Sequence, residues 1–254
     1  MPVPLIALAT LVFCAPGYPG APEDAQPLLD TFAQAVTAAA HWPAGSLDAV
    51  YDPTEAGGLQ KLSGSGAALA FVPYPFFFAH ARELKLTPEL QADVEGVGTE
   101  EHWTLVVPRG KVPNPAAMAG YTLASVAGYS PEFVRRVALP QWPLPPGVHI
   151  VASEQVLTML RRSASGEALA VLLDTQQTTA LASLPFATQL QQAARSPALP
   201  VAVLARVAER LSPERVRSLR AALLALPHTQ AGADALAGLR LKGFVPAHLP
   251  AGAP

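Results

Sequence analysis

The chain has 254 residues, half of them hydrophobic and 14% charged, with a formal net charge of −2. That length suits two small α/β lobes better than one core, and that hydrophobicity excludes a disordered chain. So few charges, on balance acidic, give no long-range attraction to a polyanion, which sets nucleic acid aside as a partner.

Leu5 to Ala15 is an apolar run, too short to span a bilayer. No Lys or Arg precedes it, as an export signal would require. It therefore reads as a first core strand, Thr10 to Ala15, with any export signal incomplete or absent in this sequence. The single cysteine, Cys14, lies in this run and reads as a buried apolar thiol. Standing alone, it excludes an internal disulfide and a multi-cysteine metal site. Phe13 occupies the place where a lipid-modified cysteine needs a small residue. The turn Pro16-Gly17-Tyr18-Pro19-Gly20 ends the strand. A helix follows, with Glu23 and Asp24 at its positive dipole end and Leu28, Leu29, Phe32 and Val36 at helical spacing. Leu47 to Tyr51 and Ala67 to Val72 are the next strands, the latter ended by Pro73-Tyr74-Pro75. Short strands alternating with helices predict parallel sheets with helices on their faces.

His102 to Pro108 reads as a strand entering a second lobe. Tyr121 to Ala127 is a strand, Gly128 to Pro131 a turn, and Pro131 to Ala138 a helix. After the Pro-rich loop Pro140 to Pro146 come the strand Val148 to Val151 and a helix capped by Ser153 that reaches Ala164. Ala168 to Leu173 is a buried strand, Asp174 to Gln177 opens another helix, and Val201 to Ala205 is a strand again. Two amphipathic helices, Pro213 to Leu226 and Ala231 to Leu239, close the chain. Topology places the crossings near Gly98 and Ala194, giving lobe 1 as residues 1–98 plus 195–254 and lobe 2 as 99–194.

The sequence carries no Gly-x-Ser-x-Gly elbow, no phosphate loop and no Gly-x-Gly-x-x-Gly after a strand. His41, His80, His102, His149, His228 and His248 show no metal-ligand spacing. No cofactor, metal or catalytic residue is called for. What remains is polar residues at the carboxyl ends of strands, where open α/β sheets bind ligands.

Each candidate carries two readings. Ser125, Gly128, Tyr129 and Ser130 precede a helix whose first turn has free N–H groups, suited to an anion; alternatively Ser130 simply caps that helix, with Pro131 at its first position. Gly17 and Tyr18 end the first strand, as ligand contacts or as an ordinary Pro-Gly turn. Tyr74 walls a ligand site or packs with Phe76, Phe77 and Phe78, which read as core. Asp174 accepts from a ligand, or caps a helix with Gln177 three residues on; Glu55 is a weaker case of the same kind. Arg135-Arg136 and Arg161-Arg162 read as solvated helix faces.

Four patterns, in order, span nearly the whole chain: Cys14-Ala15-Pro16-Gly17-Tyr18-Pro19-Gly20, Ser125-Val126-Ala127-Gly128-Tyr129, Val171-Leu172-Leu173-Asp174, and Leu239-Arg240-Leu241-Lys242-Gly243-Phe244-Val245-Pro246. Together they resemble the phosphate/phosphite/phosphonate ABC-transporter substrate-binding family. The resemblance implies a type II periplasmic-binding fold of two α/β lobes with the ligand in the cleft. It further implies a monomer in the periplasm that hands a small anion to an ABC permease and its ATPase. Where phosphonate binders of that family show Ser-Thr-Ser-Gly-Tyr, Ala127 replaces the second serine, so one hydroxyl donor is lost. The rival readings are a two-lobe transferase-like enzyme, a ligand-sensing domain, or a binder of a different small solute.

Overall fold

The computed structural model describes residues 8–18, 20–250 and 252–253. Leu5 of the first apolar run and Pro19 of the first turn lie outside the described residues. The chain divides into two compact units, Met1–Thr99 with Pro200–Pro254, and Glu100–Leu199.

The first unit opens with β1 (Ala9–Cys14), α1 (Pro22–Ala39), β2 (Leu47–Asp52), α2 (Glu55–Ser63), β3 (Ala67–Pro73), α3 (Tyr74–Leu84) and β4 (Leu86–Val94). Proline at the start of α1 lacks an N–H that would be unpaired anyway. Leu29, Phe32, Ala33 and Val36 then form its buried stripe. In the second unit follow β5 (Glu100–Glu101), β6 (Thr104–Pro108), β7 (Thr122–Ser125), α4 (Pro131–Phe133), β8 (His149–Ala152), α5 (Val156–Ala164), β9 (Leu169–Leu173), α6 (Thr175–Leu181) and β10 (Leu190–Arg195). The short β11 (Leu199–Pro200) lies where the chain leaves that unit, and β12 (Ala202–Val207), α7 (Pro213–Ala225), α8 (Gln230–Gly238) and β13 (Leu241–Pro246) return it to the first.

The first unit's sheet has the order β13-β4-β12-β3-β1-β2. β1 runs parallel to both β2 and β3. β12 inserts between β3 and β4 and runs against both, and β13 runs against β4. The expectation of parallel sheets thus holds for two of the five pairings in this one. The returning strand reaches the sheet from the other unit instead of through a crossover helix, so the handedness rule for βαβ units does not fix its direction. Phe13 packs on Phe32 and Phe71 (ring centroids 5.8 and 5.1 Å), and Phe244 packs on the same two rings at 6.3 and 5.9 Å. Such pairs contribute roughly 0.5–1.5 kcal/mol each beyond area burial. They fasten the last strand of the chain to the first.

The second unit's sheet has the order β10-β6-β9-β7-β8. β7 is parallel to β8 and β9, while β6 is antiparallel to β9 and β10. Every residue of the central β9 is buried, which is why it reads in sequence as an unbroken apolar run. Val171 and Leu173 pack with Val106, Leu160, Leu181 and Leu190.

Two local expectations change. Pro131–Ala138 is not a uniform helix: three α residues pass into a π turn over Val134–Ala138, with the Leu139 amide donating to the Val134 carbonyl at 3.1 Å. Ser153 does not cap α5; its hydroxyl accepts from the Gln155 amide at 3.2 Å, forming a local turn, and the helix begins at Val156. Among the described residues no helix is long and apolar enough to cross a membrane.

Candidate functional site

In the second unit, β7 ends at Ser125 and α4 begins at Pro131, so five residues make the turn between strand and helix. Ser125 is fully buried, and its hydroxyl donates to the Leu172 carbonyl at 2.9 Å and accepts from the Ala127 amide at 3.2 Å. The single hydroxyl proton is therefore committed to the neighbouring strand. In this arrangement Ser125 is a strut under the turn. Gly128 donates to the Ser125 carbonyl (3.1 Å), and Ser130 to the Ala127 carbonyl (3.0 Å). The glycine is required by packing, since a Cβ built there would overlap the backbone of Val151 and Ala152 on β8. Ser130 is buried, yet its hydroxyl makes no cap bond to the helix that follows. Its backbone carbonyl accepts from Val134 at 3.2 Å. Tyr129 is half-buried on the same turn.

Asp174 lies at the end of β9, next to β7 in the sheet. It is buried and forms a full capping box: Oδ1 accepts from the Gln177 amide at 2.8 Å, and Gln177 Oε1 accepts from the Asp174 amide at 3.2 Å. Sequence reasoning missed its neighbour Glu101, which is 4% exposed. Burial drives the Glu101 carboxyl well above the ordinary range, the negative charge of Asp174 adds to this, and the Thr175 amide pulls the other way without offsetting it. Glu101 precedes the strand read from sequence as His102 to Pro108. A polar residue just before an apolar run gives no sign of its burial.

In the first unit, Gly17 follows β1 with φ +84°, a left-handed conformation that favours glycine, and Tyr18 donates its amide to the Ala15 carbonyl at 3.2 Å. Tyr74 opens α3, is 1% exposed, and stacks on Phe77 with ring centroids 6.4 Å apart. Burial raises its phenol above the ordinary value. Phe76 and Phe77 are core residues. Glu55 bonds His80 (Oε1 to Nε2, 2.8 Å), so it is turned to a protein partner. Cys14 is buried, and burial first, then the nearby charges of Asp52 and Glu55, push its thiol to about 12. The arginine pairs also serve the chain itself. Arg135 donates to the Leu144 and Val148 carbonyls at 3.3 and 3.0 Å, and Arg162 pairs with Glu167 at 2.6 Å. Among the described residues no group of three or more His, Cys, Asp or Glu is placed to hold a metal ion.

No family model matches the chain, and no curated protein does. Solved structures do. XAC2383 from Xanthomonas citri, solved bound to chloride ion, matches with a TM-score of 0.68 and 18% identity, covering 94% of this chain and 92% of that one. A binding-protein component of an ABC phosphonate transporter from Pseudomonas aeruginosa matches with a TM-score of 0.64 and 14% identity, covering 94% and 82%. PhnD1 from Prochlorococcus marinus, solved with methylphosphonate, matches with a TM-score of 0.61 and 13% identity, covering 94% and 93%. The fold is that of the two-lobe periplasmic solute-binding proteins. At these identities the likeness concerns the fold, and a site has to be argued from this chain's own residues.

Proposed function

We propose that the chain is the solute-binding component of a bacterial ABC importer, that it works in the periplasm as a monomer with a permease and its ATPase as partners, and that it takes a small anion at the turn Val126–Ser130. The observation that carries the anion reading is Ser130: a buried serine ahead of Pro131 whose hydroxyl does not cap its helix. It stands at the start of the helical segment Pro131–Ala138, where the peptide dipoles favour negative charge. No lysine or arginine is needed; the nearest, Arg135, is tied to loop carbonyls. Phosphate, phosphite and phosphonates are the anions that the family resemblance and the fold neighbours favour. In the first unit, Gly17 and Tyr18 are the strand-end positions offered to solute. No residue is assigned a catalytic role.

A thermal-shift screen tests this reading, using phosphate, phosphite, methylphosphonate, sulfate and formate beside neutral sugars. A solute that binds only the folded protein stabilises it by about 2.7 kcal/mol at a hundredfold excess over Kd. Anions are expected to raise the melting temperature. A shift with neutral solutes alone would remove the anion from the proposal.

A further inference from the structure

The chain enters the second unit through β5 and leaves it through β11, and these two strands pair in a sheet of their own. Bonds on either side of that pairing fasten the two passages together. The Val201 amide donates to the Thr99 carbonyl at 3.2 Å, the Ser196 amide to the Trp103 carbonyl at 2.8 Å, and the Trp103 amide to Ser196 Oγ at 2.9 Å. The His102 ring bonds the Ser196 carbonyl (Nδ1, 3.0 Å), and its amide donates to Thr175 Oγ1 at 2.9 Å, at the start of α6. Glu101 falls between Thr99 and Trp103 and is 4% exposed. The charged group that acts on it from a neighbouring element is Asp174 at the end of β9, itself 3% exposed. β11 brings only Leu199 and Pro200; on its own strand Glu100 is exposed. Among the described residues no lysine, arginine or histidine forms an ion pair with Glu101. Its ionised form would be a buried charge with no cation and a second negative group beside it, and a charge so placed either takes up a proton or moves to water.

We propose that Glu101 is a pH-sensitive latch on this crossing: uncharged, it lets β5 and β11 stay paired and buried; ionised, it draws β5 into water and opens the pair. The latch needs no solute and stands whether or not an anion binds at the turn Val126–Ser130. With the pair closed, burial first and Asp174 second hold the carboxyl above its ordinary range; the Thr175 amide and the Trp103 indole N–H, the latter short of a full hydrogen bond, do not offset them. With the pair open, the carboxyl titrates in its ordinary range. Between those two values the open fraction grows about tenfold per pH unit, and above the closed value it levels off.

Amide hydrogen exchange of the full chain from about pH 4 to pH 9, expressed as protection relative to the unstructured chain at the same pH, tests this in wild type, Glu101→Gln and Asp174→Asn. In wild type, peptides covering 99–104 and 196–201 are expected to lose protection by about tenfold per pH unit before levelling off. They should stay less protected than β9 at every pH, because the opening is local. In Glu101→Gln the protection of these peptides should not change with pH. Asp174→Asn keeps a good helix cap and removes the like charge, so the levelling-off should come at lower pH and the total loss should shrink. Wild-type protection that is flat across the range overturns the latch. So does a folded Glu101→Gln protein that keeps the pH dependence, or an unmoved levelling-off in Asp174→Asn, the arm that decides if Glu101→Gln does not fold. Protection at β5 and β11 equal to that of β9 throughout would also overturn it, since Glu101 would then reach water only by unfolding of the whole unit.

Discussion

The Ser125 hydroxyl donates to the Leu172 carbonyl across two parallel strands, at 2.9 Å and with Ser125 wholly buried. It also accepts from Ala127, so one side chain ties the sheet to the turn that follows it. Ser125→Ala leaves a buried carbonyl and a buried amide without that partner. We expect a loss of roughly 1–3 kcal/mol in stability, read by urea denaturation, with the m-value unchanged. A neutral result would show that the strut does not support the turn.

Gly128→Ala forces a methyl group into the backbone of Val151 and Ala152. Overpacking of this kind costs about 1–3 kcal/mol, and each kcal/mol lowers the melting temperature by about 2–4 °C in a protein of this size. Calorimetry should show that drop together with weaker anion binding, because the displaced turn carries Ser130.

Ser130→Ala separates binding from stability. The hydroxyl makes no helix cap, so the melting temperature should move little. Removing a donor to a charged acceptor costs roughly 1.5–3 kcal/mol, or about ten- to a hundredfold in the anion's Kd. A folded variant that binds as wild type does would move the anion away from this turn.

Cys14 should resist alkylation by iodoacetamide at pH 8 in the native protein. It is 1% exposed, its thiol is pushed to about 12, and only the thiolate reacts. Labelling is expected only on unfolding, which makes it a probe of opening at β1. Fast labelling of the native protein would contradict the burial.

Glu101 sets a pH dependence. Its folded pKa is raised, so the folded state holds the proton more tightly than the unfolded chain does. The group's contribution is therefore fully present below its ordinary carboxylate value and is lost as pH rises through the raised one. Glu101→Gln keeps the shape without the charge. It should match wild type near pH 4 and become the more stable protein as pH rises above the ordinary carboxylate range, followed by thermal melts across pH 4–8. Asp52 has the opposite sign: its lowered pKa gives stability present above the ordinary value and lost in acid as pH falls through the folded one.

What the sequence determined by itself was local. Apolar runs marked β1, β3 and β9, helical spacing marked α1, and Asp174 with Gln177 three residues on marked the capping box that forms. These features depend on neighbours within a turn or two of the chain, so period and propensity suffice to find them. Crossings expected near Gly98 and Ala194 stand beside units that divide at Thr99/Glu100 and Leu199/Pro200. The helix α2 escaped notice because Gly57 and Gly58 weaken its propensity; the structure uses both, one against Asp52 and one against Cys14, where a Cβ would collide. The insertion of β12 between β3 and β4, the proton of Ser125 given to a residue 47 positions away, and the burial of Glu101 beside Asp174 were decided by tertiary structure alone. Each depends on which strands become neighbours, and that choice minimises exposed apolar surface and unpaired polar groups over the whole unit at once, a sum that no window of sequence contains.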